Sequence, residues 1–191
     1  MTRARALALL VALAAESSFV PIVFAAEAAP AATPQPQATS AVYGDWTLHC
    51  ATPAPAANAP AGTPAPVKRC EIDQAISIAD QPKPVAQLAV SAEASDPGLH
   101  LVAALPVGVW LPTAPSFRVA DQDDPLALAF KRCLPNVCLA DLALTDGTLS
   151  AMGKAKATGK LTFQMNAGKD TVLPVSFNGF SSALAALKAE R

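Results

Sequence analysis

Aromatic residues are scarce in this chain, 5% of 191, with two Trp and one Tyr. Any core must therefore come from Leu, Val, Ile and a few Phe. Charge is scarce as well, 15% and close to balanced at a formal -1. The Lys and Arg side chains beyond the first turns of the chain are scattered from Lys68 to Arg191. A protein that grips a phosphate backbone needs a clustered basic face, so nucleic acid is not an expected partner. Histidine occurs only at His49 and His100, without ligand-like spacing. No Gly-x-Ser-x-Gly elbow is present to activate a serine. No βαβ alternation is present either, and dinucleotide sites depend on that scaffold. Finally, no uncharged apolar run reaches the roughly 18 residues of a spanning helix.

What the N-terminus does have is an export pattern. Arg3 and Arg5 form a positive start, Ala4 to Ala15 is almost unbroken apolar sequence, and Val23-Phe24-Ala25 supplies small residues where a signal peptidase reads. Residues 1–25 are expected to be a signal peptide cut after Ala25. Glu16 interrupts the apolar stretch, which argues against a retained anchor, and no cysteine follows the cut to carry a lipid. The mature chain, with 12 basic and 14 acidic side chains, would carry -2 and no membrane span.

Two Ala/Pro/Thr-rich stretches, Glu27 to Ser40 and Ala51 to Pro66, hold eight of the 18 prolines. Such composition favours extended, solvated chain. Residues 26–40 read as a linker and 51–66 as a disordered insert within a single domain spanning 41–191.

Across that domain the apolar period is mostly two. Trp46, Leu48 and Cys50 alternate with Thr47 and His49; Cys70, Ile72, Ile76 and Ile78 alternate with Glu71, Asp73 and Ser77. Ala86, Leu88 and Val90, then Leu99 and Leu101, then Phe117 and Val119 continue the pattern. Leu126 to Cys133 and Val137 to Leu144 read as two strands around Leu134-Pro135-Asn136. Leu161, Phe163 and Met165 read as a hairpin with Leu173, Val175 and Phe177. Two helices are expected, a short one near Thr148 to Lys156 and a terminal one with Phe180, Ala183, Leu184 and Leu187 on one stripe. The predicted fold is all-β and mainly antiparallel, a β-sandwich-like single domain with a short C-terminal helix.

Four cysteines permit three pairings. Local pairing, Cys50 with Cys70 and Cys133 with Cys138, is favoured because each pair lies on or beside adjacent strands. On chain entropy the first loop contributes about 3 kcal/mol and the second about 2. A redox site needs Cys-x-x-Cys at a helix start, whereas Cys133 and Cys138 have four residues between them and strand-like flanks. Zinc is disfavoured because exported cysteines are normally oxidised. Both histidines fall on the polar phase of their strands and are expected to face solvent. Asp121-Gln-Asp-Asp124 lacks the glycine and distant glutamate of a calcium loop and reads as a solvated acidic turn. No catalytic, cofactor-binding or metal-ligating residue is assigned.

Tyr43-Gly-Asp-Trp46 followed by Cys50, then Cys70-Glu-Ile-Asp-Gln74, then Pro106-Val-Gly-Val-Trp-Leu111, then Phe130 to Cys133 with Cys138-Leu-Ala140, then Val175-Ser-Phe-Asn-Gly-Phe180 with Ala183, together resemble the invasion-associated locus B family. The resemblance covers the domain end to end and takes in all four cysteines. It implies export from a Gram-negative bacterium, no established enzymatic activity, and an interaction role linked in some pathogens to host-cell invasion. Two departures stand out. The insert at 51–66 lengthens the first cysteine loop, at an entropic cost that grows slowly with length. Val137 stands where the family often has glycine, and a β-branched residue resists positive φ.

Each motif also has a packing explanation: Gly44-Asp45 as a turn, Trp46 as a core aromatic, Gly108 as a bend. Trp110 is the exception, a large aromatic in the Pro-bounded segment Pro106 to Pro112, suited to contact a partner. The expectation is a periplasmic or secreted non-enzymatic protein with a protein or cell-surface partner. The alternative is a periplasmic small-ligand-binding protein, and a hydrolase with a scattered site ranks third.

Overall fold

The computed structural model describes residues 37–191, apart from 57, 59, 61, 79–80, 82, 93–95, 97 and 167. The expected signal peptide, its expected cut after Ala25, and residues 26–36 of the expected linker lie outside the described residues.

In chain order the elements are β1 (Gln37–Tyr43), β2 (Trp46–Thr52), β3 (Arg69–Ile76), β4 (Ala86–Ala92), β5 (Leu99–Leu105), β6 (Ser116–Arg118), β7 (Leu126–Ala127), β8 (Ala129–Leu134), β9 (Val137–Ala143), α1 (Asp146–Lys154), β10 (Gly159–Met165), β11 (Lys169–Val175) and α2 (Phe180–Ala189). They form a seven-stranded sheet, β1-β2-β3-β4-β5-β9-β8, and a four-stranded sheet, β11-β10-β6-β7. Every pairing is antiparallel. The chain is all-β with a sandwich-like core and a short terminal helix.

Strand alternation places the core. Leu48, Ile72, Val90 and Leu101 stand in one cross-strand row and are buried. They share a single apolar cluster with Phe117, Leu161, Phe163, Leu173 and Val175 of the smaller sheet. Helix α2 closes the cluster with Phe180, Ala183, Leu184 and Leu187 buried, the i, i+3, i+4, i+7 stripe of an amphipathic helix. Trp46, fully buried, meets Phe180 edge-on with centroids 5.0 Å apart. Helix α1 starts at Thr145, whose Oγ1 accepts from the Thr148 N–H at 3.1 Å, an N-cap that satisfies one orphan donor.

A polar latch joins the β1–β2 turn to the segment ahead of α2. The Asp45 N–H donates to the Asn178 carbonyl at 3.1 Å and the Trp46 indole N–H to the Ser176 carbonyl at 2.9 Å. Buried Gln74 donates to the carbonyls of Asp45 and Ser176, while its Oε1 accepts from the Ser176 N–H at 3.0 Å. Ser176 Oγ donates to Asp45 Oδ2 at 2.5 Å. The two backbones approach so closely that both contact points are glycine. A Cβ on Gly179 (φ +83°) would lie 1.9 Å from the Tyr43 carbonyl oxygen, and one on Gly44 (φ +59°) 2.6 Å from that of Asn178. Tyr43-Gly-Asp-Trp46 and Ser176-Phe-Asn-Gly-Phe180 are thus two halves of one junction.

Three expectations need correction. Gln37 to Ser40, read from composition as linker, belong to β1 and pair with His49 to Thr52; a hydrogen-bonded neighbour overrides weak strand propensity. Leu126 to Cys133 is not one strand. It breaks at fully buried Leu128, where β7 pairs with β6 in the smaller sheet and β8 pairs with β9 in the larger. Val137 raises no conflict at its turn, because Leu134 and Val137 pair directly and neither Val137 nor Asn136 has positive φ.

Candidate functional site

Cys50 and Cys70 are directly opposed on β2 and β3, and Cys133 and Cys138 on β8 and β9. Both pairs are bonded, with S–S distances of 2.07 and 2.02 Å. The first closes the base of the Pro/Ala insert. The second staples the sheet edge. Glu190 lies near the first pair, but bonded sulfurs offer no thiolate to a metal.

The face of the larger sheet that points away from the core carries two histidine–carboxylate groups. His49 Nε2 lies 3.0 Å from Asp73 Oδ1. That contact is an electrostatic one, because buried Oδ1 accepts no aligned hydrogen bond; the other oxygen, Oδ2, accepts from Gln87 at 2.8 Å. Glu71 stands across from His49 in the register. Burial, and then the Asp73 carboxylate, raise the Glu71 pKa above its ordinary value, and His49 partly offsets them. Glu71, His49, Arg69 and Ser91 help line a solvent-open cleft of about 280 Å³.

His100 is more enclosed. Its Nδ1 faces Asp141 Oδ2 at 2.8 Å and its Nε2 faces Asp96 Oδ2 at 3.0 Å. Lys131 holds the other Asp141 oxygen at 2.9 Å. His100 does stand on the phase that faces away from the core, but its side chain is only 9% exposed. The expectation of a solvent-facing His100 therefore fails. Asp96, from the β4–β5 connection, covers one nitrogen, and the β5–β9 pairing brings Asp141 to the other. His49, with 52% of its side chain exposed, fits the expectation. The Asp96 carboxyl is held below its ordinary pKa first by the Gly98 N–H and then by His100.

Chemically, two acceptor carboxylates suit a His100 carrying a proton on each nitrogen. Ser91 lies opposite His100 in the register, and both ring nitrogens are already held by carboxylates. The arrangement is that of a structural ion-pair cluster. The acidic turn is also self-satisfied: Asp123 Oδ2 accepts from the Ala120 N–H at 3.0 Å, and Asp121 pairs with Lys160 at 2.7 Å.

Trp110 sits elsewhere, on the connection between β5 and β6. Val109 is buried and bridges to Met165, and the Trp110 N–H donates to the Gln164 carbonyl at 2.8 Å. Gly108, at φ +92°, makes the bend ahead of it. The backbone is therefore fixed while the side chains project: Trp110 is 41% exposed, Leu111 53% and Val107 49%. Sequence reading found Trp110. It missed the His100 cluster, whose partners come from a loop and from a strand that neighbours β5 only because the chain crosses over β6, β7 and β8.

Among the described residues no helix is long and apolar enough to cross a membrane. No curated protein sequence matches the chain. The crystal structure of invasion associated protein B from Bartonella henselae has the same fold, with a TM-score of 0.60 at 21% identity over 79% of this chain and 95% of that one. The profile described as invasion associated locus B (IalB) protein matches residues 46–188, a span that holds all four cysteines, Trp46 and the Ser176 to Phe180 half of the latch, and the Trp110 loop; the chain belongs to the invasion associated locus B family.

Proposed function

We propose that this protein is exported and acts, without catalysing a reaction, as an interaction protein of the bacterial periplasm or surface, with the Trp110 loop as its contact surface. One observation carries the reading: three large apolar side chains, Val107, Trp110 and Leu111, stand exposed on a backbone pinned to β10. Large aromatics on pre-ordered backbone are what interfaces use as anchors, since little entropy is lost when they are covered. Export is supported by the pattern at residues 1–25 and by two disulfides, which persist in oxidising compartments. A link to host-cell invasion rests on the family and on the invasion-associated name of the Bartonella henselae relative.

The small-ligand reading has less support. The clefts near His49 and near Lys156 measure about 280 and 410 Å³ and open to solvent, whereas ligand sites bury most of the ligand. The test is complementation of a deletion strain with a Trp110→Ser, Leu111→Ser variant. The variant should be exported and melt like the wild type, and the strain's association with host cells should stay at the deletion level. Wild-type association by that strain would refute the contact role.

A further inference from the structure

Each of the two sheets has two edges, and three of the four are guarded against pairing with another chain. Strand β8 carries Lys131 and Arg132 and a register shift between Phe130 and Arg132. Strand β11 carries Lys169, Asp170 and Pro174. Strand β7 has only two residues. Charges, proline, bulges and shortness are the devices that keep a strand edge from acting as a template. Strand β1 has none of them. Its seven residues, Gln-Ala-Thr-Ser-Ala-Val-Tyr, carry no charge and no proline, and they pair with β2 without a register break. Among the described residues no strand pairs with β1 on its other side. Its Val42 side chain is 72% exposed.

We infer that β1 is the docking edge for β1 of a second copy, joining two seven-stranded sheets into one continuous sheet about a two-fold axis. An antiparallel pair of identical strands is self-complementary. With Ser40 on the axis all seven residues are matched: Thr39 faces the partner copy's Ala41, and Ala38 faces its Val42. The absence of charge means that self-pairing meets no repulsion. The preceding stretch of the same chain is a poor occupant, because Pro30, Pro34 and Pro36 lack the N–H groups a ladder needs.

The test is sedimentation velocity on the disulfide-intact protein from micromolar to near-millimolar concentration, with hydrogen exchange on the same samples. The wild type should move to twice the monomer mass, and β1 amides should gain protection as concentration rises. Ser40→Lys and Ser40→Glu each put like charges face to face on the axis and should weaken the dimer at least tenfold. An equimolar mixture of the two should restore it. Four results would overturn the inference: a wild type monomeric throughout, β1 amides protected equally at all concentrations, a dimer indifferent to both substitutions, or two variants that do not recombine. Protection that needs an added extended peptide would assign the edge to a foreign strand instead. Because the wild-type exchange pattern is read independently, the inference is tested even if a variant folds poorly.

Discussion

Replacing Gly179 by alanine should be among the most damaging single-methyl changes this domain can receive. Gly179 has φ +83°, and the added Cβ would fall 1.9 Å from the Tyr43 carbonyl oxygen and 2.4 Å from its carbon. The left-handed conformation alone costs about 1–2 kcal/mol for a residue with a Cβ. Relief of the overlap must come from the backbone, because neither partner is the end of a flexible side chain. Moving the two segments apart by more than about 1 Å breaks hydrogen-bond geometry in the latch, where Asp45 donates to Asn178 at 3.1 Å and Trp46 to Ser176 at 2.9 Å. Losing two such bonds adds about 2 kcal/mol, for a total of about 3–4. At about 2–4 °C per kcal/mol for a domain of this size, the melting temperature should fall by about 10 °C. Gly168→Ala is the control. Gly168 has φ +96° but open space around the added methyl, so it carries the conformational cost alone. Differential scanning calorimetry on both variants decides the matter. Equal shifts for the two would refute the close-packed junction.

Other expectations follow from the ion pairs and disulfides. His100→Ala takes one partner from the 6%-exposed Asp141 and should cost about 2–3 kcal/mol in urea unfolding, whereas His49→Ala removes a half-exposed ring from a buried Asp73 that keeps its bond from Gln87 and should cost less, about 1 kcal/mol. Glu71 binds its proton more readily folded than unfolded, so stability should rise as pH falls from above its raised pKa towards 4.5. Glu71→Gln should flatten that rise and stabilise the protein at pH 7, by less than about 1 kcal/mol at a half-exposed site. Asp96 has the opposite sign: its lowered pKa stabilises above pH 3.8, and that contribution is lost on further acidification, a loss that Asp96→Asn should remove from the acid limb of the melting curve. Cys133→Ser should lower stability by about 2 kcal/mol and Cys70→Ser by about 3, following the lengths of the loops they close, as read by thermal melts under non-reducing conditions.

Where the fold was legible in sequence, the pattern was local. Trp46, Leu48 and Cys50 alternate because β2 buries one face, and Phe180, Ala183, Leu184 and Leu187 repeat as a helix stripe because α2 packs on the same core. What stayed hidden depends on neighbours far along the chain. Strand β1 is small and polar in sequence and is a strand because β2 pairs with it. The break at Leu128 lies in a run of continuous apolar character, and only the existence of two sheets gives it meaning. His100 looked like any residue on a polar strand phase, since nothing near it in sequence announces that β9 will lie alongside β5. At the candidate site the Trp110 loop was readable because prolines flank it, while the exposure of Val107 and Leu111 was not.

The disulfide between Cys50 and Cys70 gives the Pro/Ala insert an unusual relation to cleavage. Residues 53–56 are exposed, and a protease cutting between Thr52 and Arg69 would sever the backbone while leaving both fragments held by the bond and by the β2–β3 ladder. The nicked protein would keep its native mass on a non-reducing gel apart from one added water, and would separate into two pieces only after reduction. Processing in this segment would therefore go unseen by any assay that reads folding or size under oxidising conditions. It would expose a new pair of chain ends next to the His49 cleft, so the insert offers a place where the surface could be remodelled without loss of the domain.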